Sequence, residues 1–269
     1  MIAYKPISRA IQLLRNRGVF IGLPNGQTLR SVAGSVVLPR RCLLCGRKLE
    51  DEHGQPAFCF ECVDRMIERK SPCCPRCGAF TGAAAISEGR CPFCREFRLH
   101  FDACRALGRY RDLSPLILKM KRQDNELLAK NLAILWHVQF GDWANALQVD
   151  AVIAVPMHWR RFFVRAVNSA DAIAATIAHR LRLPQIGRSV RRIRNTAPQE
   201  NLSPFARFRN LRNAFTFPKG TPFRNRRILV IDDVLTTGAT ASELARVLKA
   251  AGASFVAVGV VARAQGHDR

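Results

Sequence analysis

Residues 227–240 read RILVIDDVLTTGAT. After Arg227, the residues Ile228–Ile231 form a short apolar run without polar alternation, which predicts a buried parallel strand over residues 227–231. After a polar loop, residues 241–251 have the spacing of a helix that stops at Gly252, and residues 255–261 form a second apolar strand. This order of strand, loop, helix and strand is a βαβ unit, so the sequence predicts an α/β fold.

An earlier segment repeats the order of a strand followed by a helix. Residues 150–155 form a β-rich run, and residues 169–182 have a helix-like pattern. Upstream, residues 113–136 carry apolar side chains at helical spacing, with Ser114-Pro115 as the expected start of one or two helices. Together these segments predict a Rossmann-like parallel sheet covered by helices.

Carboxylates and hydroxyls follow the strand in residues 227–240, at the sheet edge where open α/β folds bind ligands. Asp232 and Asp233 come directly after the apolar run, and threonines follow at the start of a helix. Backbone amides at a helix start have no partner within the helix, and the helix dipole favours an anion there. An acidic loop that merely closes a βαβ unit is the structural alternative. No Walker A string is present, which argues against an ATPase.

This loop resembles the phosphoribosyl-diphosphate (PRPP) binding motif of type I phosphoribosyltransferases. The resemblance implies that Asp232 and Asp233 contact the 2- and 3-hydroxyls of the ribose. It also implies a 5-phosphate site built from the hydroxyls and backbone amides of the residues Thr236, Thr237, Gly238, Ala239 and Thr240. Gly238 would let the backbone approach the phosphate closely.

Type I phosphoribosyltransferases use a second loop, after an earlier strand, to hold the pyrophosphate of PRPP. Val155, Pro156 and Met157 lie where this loop is expected, and Arg161 and Arg165 follow them. Cations there would neutralise the diphosphate leaving group, while Mg²⁺ bridges its oxygens and keeps part of its water shell. A strand-ending turn with solvated arginines is the alternative interpretation.

Eight of the ten cysteines form two clusters of identical spacing. Each cluster is a CxxC pair, thirteen intervening residues and a second CxxC pair: Cys42, Cys45, Cys59 and Cys62, then Cys74, Cys77, Cys91 and Cys94. Four thiolates on two tight knuckles suit the tetrahedral preference of Zn²⁺ and leave no open position for a substrate. We therefore expect two structural zinc sites, with disulfides or an iron–sulfur centre as alternatives. Cys73 lies beside a ligand but out of register, and a buried thiol is the simplest interpretation of Cys104.

Composition divides the chain of 269 residues into a basic N-terminal leader over residues 1–38, a cysteine-rich part over 39–104 expected to be a double zinc ribbon, and residues 105–269, which the resemblance implies are a phosphoribosyltransferase-like domain. The net charge of +23 is concentrated in residues 151–227, which contain 16 basic and 2 acidic side chains, a net charge of +14. A segment this basic releases many counterions on a polyanion. Nucleic-acid binding and attraction of a phosphorylated substrate both remain open.

The longest apolar runs are far shorter than the roughly 20 residues that cross a bilayer. Runs such as residues 228–231 and 255–261 illustrate this, so we expect no transmembrane segment. The first residues contain scattered arginines and no apolar core of the length that a secretory signal needs. We therefore expect a cytoplasmic protein.

A double zinc ribbon joined to a phosphoribosyltransferase domain is similar to the ComF family, called GntX-like in some bacteria and associated with competence for natural transformation. The resemblance covers residues 36–262. Beyond the two motifs it includes Lys121, Asn168, Thr196, Gln199, Arg207, Arg209 and Asn210. Where the family usually reads RGFNQ, this chain reads RAVNS over residues 165–169, a change that affects the pyrophosphate side or the acceptor contact.

Two functions follow from these observations. The first is an enzyme that transfers phosphoribose from Mg²⁺–PRPP to an acceptor that the sequence does not identify. The second is a non-catalytic module that binds single-stranded DNA or a partner protein, such as a helicase of the DNA-uptake machinery, with PRPP as a regulator. Phe205, Phe208, Phe215 and Phe217 alternate with Arg207, Arg209 and Arg212, a composition that suits base stacking beside phosphate contacts. Phenylalanines that pack in the core are the alternative.

Overall fold

The structure is a computed structural model that describes residues 40–50, 55–67, 72–81, 86, 91–157, 168–186, 190–194, 202–218 and 223–265. The predictions for the leader over residues 1–38, for Arg161 and Arg165, and for Thr196 and Gln199 fall outside these ranges.

Four parallel strands form the central sheet, in the order β1, β6, β5, β2. They are β1 (Ala103–Arg109), β2 (Ala151–Ala154), β5 (Arg227–Leu235) and β6 (Phe255–Arg263). A separate antiparallel pair consists of β3 (Arg191–Arg192) and β4 (Phe215–Thr216). The predicted α/β fold with a parallel sheet is confirmed.

Seven helices occur in the described ranges. They are α1 (Phe60–Met66), α2 (Pro92–Glu96), α3 (Tyr110–Arg122), α4 (Glu126–Ala146), α5 (Ser169–Leu181), α6 (Pro204–Leu211) and α7 (Ala239–Ala250). The helix start predicted at Ser114-Pro115 is wrong, because α3 begins at Tyr110 and contains Pro115. Pro115 has no N–H to bond the carbonyl of Arg111, and the Ser114 hydroxyl donates to that carbonyl instead (3.3 Å).

The loop predicted over residues 232–240 is shorter in the structure. Strand β5 continues through both aspartates to Leu235, because β6 is equally long and pairs with it as far as Arg263. Helix α7 begins at Ala239, two residues before the predicted start. The loop therefore contains only Thr236, Thr237 and Gly238.

The sheet has an apolar layer on each face. On one face, α3, α4 and α5 pack against strand residues such as Leu229 and Ile231. On the other face, α7 packs against residues such as Val230 and Val258. Parallel strands need this cover on both faces, which explains why they read as continuous apolar runs.

The two cysteine clusters pack on opposite faces of the sheet. The first lies with α1 in the layer that contains α3 and α4, and the second lies in the layer that contains α7. Strand β1 crosses the domain boundary predicted after residue 104, so the chain passes from the second cluster directly into the sheet. Within the described part of the chain, no helix has the length and apolar character to cross a membrane.

Candidate functional site

Three elements meet at the acidic pair on β5. The carboxylate of Asp233 accepts a hydrogen bond from the Ser169 hydroxyl at the start of α5 (3.2 Å). The Lys121 ammonium near the end of α3 forms an ion pair with the same oxygen (2.8 Å). The backbone N–H of Asp233 donates to Asp232 (2.9 Å). Strand β5 thus supplies two adjacent carboxylates, and α3 and α5 fix the orientation of the second.

Asp232 is the carboxyl group of the pair that ionises with difficulty. Burial and the neighbouring charge of Asp233 raise its pKa to about 8, although Lys121 acts in the opposite direction. Near neutral pH the pair therefore holds a proton. Hydrogen-bond donors that arrive with a ligand would favour the ionised form.

The three-residue loop after β5 turns directly into α7. Gly238 has φ +81, a left-handed conformation that other residues rarely adopt, and a Cβ there would lie 3.3 Å from Leu99. The Thr237 hydroxyl accepts a hydrogen bond from the N–H of Ala239, the first residue of the helix (3.3 Å). Because the first N–H groups of a helix lack partners within the helix, the loop and α7 together form a site suited to an anion.

Two adjoining clefts share the acidic pair in their linings. The smaller has a volume of about 170 Å³ and the larger about 650 Å³. Val155, Pro156 and Met157 line the smaller cleft, whereas the residues from Thr236 to Thr240 line the larger one. Both clefts include Lys121, Asp232, Asp233 and Thr240. The two segments predicted to hold the two phosphate ends of one ligand therefore line two different clefts that share the carboxylates.

Arg207 is a buried cation beside the loop, with 3% of its surface exposed. Its Nη1 donates to the Thr236 hydroxyl (3.1 Å) and its Nε to the carbonyl of Leu202 (3.1 Å). It also lines the larger cleft. The sequence pointed to Arg207 through the family resemblance and as one of the arginines suited to DNA phosphates, but did not assign it to this loop, because α6 is distant from the loop along the chain.

Ser169 also takes a position that the sequence did not predict. It was noted only as a departure from the family pattern, yet its hydroxyl contacts Asp233. Asn168, the residue before it, lines the smaller cleft. The serine that replaces the family's glutamine at position 169 therefore contacts one of the two carboxylates of the acidic pair.

The two cysteine clusters have the geometry of tetrahedral metal sites. In each cluster the four sulfur atoms lie within 4.8 Å of one another. The sulfurs of Cys74 and Cys94 are 3.7 Å apart, and those of Cys77 and Cys91 are 3.6 Å apart. Four sulfurs about 2.3 Å from one Zn²⁺ ion would be separated by about 3.8 Å. A disulfide needs about 2.05 Å, and all of these cysteines are free. The distances between the sulfurs therefore fit a Zn²⁺ ion bound by four thiolates, and they are too long for disulfides.

One thiol in each cluster ionises readily before metal binds. A hydrogen bond from Cys77 is the main cause that lowers the pKa of Cys74, which falls to about 4. Burial opposes ionisation of Cys42, but backbone N–H groups of Cys45 and Cys59 lower its pKa to about 6. A lowered pKa favours metal binding, because zinc binds the deprotonated form of a thiol.

The remaining cysteines lie outside both tetrads. Cys104 is fully buried, in agreement with its interpretation as a buried thiol, and burial raises its pKa to about 12. Burial also raises the pKa of Cys73. Neither sulfur belongs to a metal-binding group of the described residues.

Three of the four phenylalanines considered for base stacking pack against other rings or are buried. Phe208 stacks on Phe97, with ring centroids 5.2 Å apart, and Phe217 meets Phe223 edge-on. Phe215 is buried, with 4% exposure. Only Phe205 is open to solvent, with 61% exposure, although its ring also approaches Phe97.

Residues 33–95 match the family described as the double zinc ribbon domain. The chain is 30% identical to the "DNA utilization protein YhgH" of Salmonella typhi over 232 residues, which cover 85% of this chain and 99% of that protein. The same-named protein of Escherichia coli K12 is 31% identical, with the same coverage. The "Competence protein F" of Haemophilus influenzae is 29% identical over 83% of this chain and 97% of its own length.

Proposed function

The chain belongs to the ComF family, and on this basis we propose that it binds Mg²⁺–PRPP and transfers phosphoribose to an acceptor, in a process that handles incoming DNA. The relatives are named for competence and for DNA utilization, which supports the proposal that this chain acts in a process that handles DNA. The reduced cysteines of two zinc ribbons suit the cytoplasm, where we place the protein.

The main support for the PRPP proposal is the set of residues that line the two clefts. The acidic pair lines two adjoining clefts, of which one is also lined by the hydroxyl-rich loop at the start of α7 and the other by the segment after β2. Carboxylates suit the hydroxyls of a sugar, and a helix start suits a phosphate. A pentose that carries phosphates at both ends matches this arrangement of three recognition elements.

The residues of the chain would act mainly by positioning. Asp232 and Asp233 would accept hydrogen bonds from the ribose hydroxyls, while Lys121 and Ser169 hold Asp233 in place. Arg207 would add positive charge beside the 5-phosphate. The bound Mg²⁺ would neutralise charge on the diphosphate.

The proposed transfer needs no protein nucleophile. The bond from C1 of the ribose to the diphosphate oxygen breaks, and the electron pair leaves with the diphosphate. An acceptor nitrogen then attacks C1 with its own electron pair and loses a proton. Orientation of the two reactants and neutralisation of the leaving group supply most of the rate enhancement.

The transfer is tested by the release of diphosphate from Mg²⁺–PRPP in the presence of nucleobases or single-stranded DNA as acceptors. We expect release by the zinc-loaded wild-type chain and a rate at least tenfold lower for Asp233→Asn. Equal rates for the two proteins would contradict the transferase assignment. No release with any acceptor, despite measured PRPP binding, would favour a non-catalytic role.

Asp232 should release a proton when PRPP binds. Its pKa of about 8 keeps it protonated at pH 7, and hydroxyl donors from the ribose would favour the carboxylate. We expect close to one proton released at pH 7 and almost none at pH 9, measured by calorimetry in two buffers of different ionisation enthalpy. PRPP itself contributes protons near pH 6, since its phosphate titrates there. Asp232→Asn should release only the protons that come from PRPP. Equal proton release by the wild type and Asp232→Asn would contradict the assignment of the released proton to Asp232.

The same raised pKa predicts how Asp232 affects stability. The ordinary value of its carboxyl group is 3.8, so between about pH 4 and pH 8 the folded chain keeps a proton that the unfolded chain loses. Stability falls with pH wherever the folded state binds more protons. The contribution of Asp232 should therefore become less favourable as the pH rises through this window.

Single-stranded DNA binding is a second candidate function. Phe205 is exposed at the start of α6, and Arg209 and Arg212 are exposed near it. This arrangement fits a base stacked on the ring with phosphates on the guanidinium groups. Affinity for an oligonucleotide that falls steeply with added salt and drops severalfold in Phe205→Ala would support it. No binding at low salt would exclude it.

A further inference from the structure

Arg263, the last residue of β6, supports the loop that follows β5. Only 1% of its surface is exposed. Its Nη1 donates to the carbonyls of Leu235 (2.9 Å), Thr236 and Ala264 (2.8 Å). Leu235 is the last residue of β5 and Thr236 the first of the loop. The guanidinium therefore holds the start of the loop through two consecutive carbonyls.

The same guanidinium lies against the second cysteine cluster. It packs over the ring of Phe93, 5.1 Å from the ring centroid, and Phe93 lies between the ligands Cys91 and Cys94. One side chain thus contacts both the loop and the Cys91–Cys94 knuckle of the second cluster.

A neighbouring residue strengthens this junction. The side chain of Gln265 forms two hydrogen bonds with the backbone of Phe80, which follows the first knuckle of the second cluster. Its Oε1 accepts from the N–H (2.7 Å) and its Nε2 donates to the carbonyl (3.2 Å). The second cluster is therefore joined to the end of β6 by two side chains that are close in sequence.

The charge of Arg263 needs a partner. In the ranges that the structure describes, no carboxylate forms an ion pair with it. A buried cation is costly unless it is paired. Zn²⁺ with four thiolates carries a formal charge of −2, so the metal-loaded second cluster would supply the missing counter-charge.

We propose that Arg263 couples the second zinc site to the anion loop, so that metal at Cys74, Cys77, Cys91 and Cys94 positions Thr236 and its neighbours for a phosphate. The nature of the physiological ligand rests on the proposed function, whereas the contact between Arg263 and the cluster does not. Coupling between two sites is reciprocal. Anion binding at the loop must therefore also retain zinc at the second site.

The first cluster provides an internal control. At this cluster the exposed Arg65 donates to a ligand sulfur, that of Cys62 (3.5 Å). This cluster packs on the opposite face of the sheet from α7. Zinc at the first site should therefore not respond to the loop.

The experiment measures zinc release from the full-length chain to a coloured chelator, with and without Mg²⁺–PRPP. We expect two release phases, of which PRPP slows one by about fivefold or more, the lower end of ordinary coupling between sites. Arg263→Gln should accelerate that phase without any ligand and abolish the effect of PRPP. Arg65→Gln, the matched change at the first cluster, should leave the PRPP effect unchanged.

A second variant of Arg263 and a control ligand separate the possible results of this experiment. Arg263→Lys keeps the charge but loses the fork of donors, so it should retain zinc better than Arg263→Gln and still lose most of the ligand response. If Arg263→Gln does not fold, this variant and the wild-type response to ligand decide the question. Inorganic diphosphate, which chelates zinc, should accelerate rather than slow release.

Inorganic phosphate serves as a second probe of the loop, because it does not require recognition of a ribose. Retention of one zinc by phosphate but not by PRPP would support the coupling and contradict the proposed PRPP site. If PRPP binds by calorimetry but both zinc ions leave at unchanged rates, the coupling is wrong. Equal ligand-free release by the wild type and both Arg263 variants would also overturn it.

Discussion

Replacement of Asp233 by asparagine should weaken the binding of Mg²⁺–PRPP by about 10- to 100-fold. The carboxylate lies at the junction of both clefts and is held by Lys121 and Ser169. A hydrogen bond to a charged group contributes about 1.5–3 kcal/mol, and each 1.4 kcal/mol corresponds to a factor of ten. The variant would also leave Lys121 facing a neutral amide. Calorimetric titration at fixed Mg²⁺ measures the change in affinity.

Asp112→Asn is the matched control. Asp112 lies on the outer part of α3, where its carboxylate meets the exposed Arg111 at 3.5 Å. It lines neither cleft. Its replacement removes the same charge, so affinity should stay within twofold of the wild type. Equal affinities of wild type and Asp233→Asn, or an equal loss in Asp112→Asn, would show that Asp233 does not contact the ligand.

Replacement of Cys77 by alanine should remove one of two zinc ions and lower the melting temperature by about 10 °C or more. Cys77 is fully buried in the apolar layer beneath α7. Metal binding to such a ribbon contributes directly to folding, and loss of a metal is among the few single changes that cost more than about 4 kcal/mol. For a chain of this size each kcal/mol corresponds to about 2–4 °C. Metal analysis and thermal unfolding measure both effects.

Cys104→Ala controls for the loss of a buried thiol. Cys104 is equally buried, but it belongs to neither cluster. Its replacement should keep both zinc ions and cost about 1 kcal/mol, the typical effect of a point mutation. If Cys77→Ala retained two zinc ions, or melted at the same temperature as Cys104→Ala, the second cluster would not be a structural zinc site.

The strands that sequence reasoning found are those buried on both faces. Strands β2, β5 and β6 read as continuous apolar runs because helices or ribbons cover them on each side. Strand β1 was missed, because arginines and small residues interrupt it. In the structure Arg105 stacks on Trp143 and Arg109 on Phe80, each 5.2 Å from the ring centroid. Those contacts depend on the tertiary fold, so local periodicity could not reveal the strand.

The site was predictable where it is local in sequence. The acidic pair and the loop form one continuous motif, and the regular spacing of the cysteines identified both clusters. The residues that arrive from distant elements were not assigned to this site. Lys121 and Arg207 reach the motif from α3 and α6, and their contacts depend on how these helices pack. No sequence pattern indicated a role for Arg263, since an arginine at the end of a strand is ordinarily a surface residue.

Calorimetric titration of the zinc-loaded chain with PRPP in excess Mg²⁺ tests most directly whether the acidic pair and the loop form a sugar-phosphate site. We expect one ligand per chain, with a dissociation constant below about 100 µM, or about −5.5 kcal/mol. Ribose 5-phosphate, which lacks the diphosphate, should bind more weakly. A titration that shows no binding of PRPP at millimolar concentration would contradict the assignment of this site.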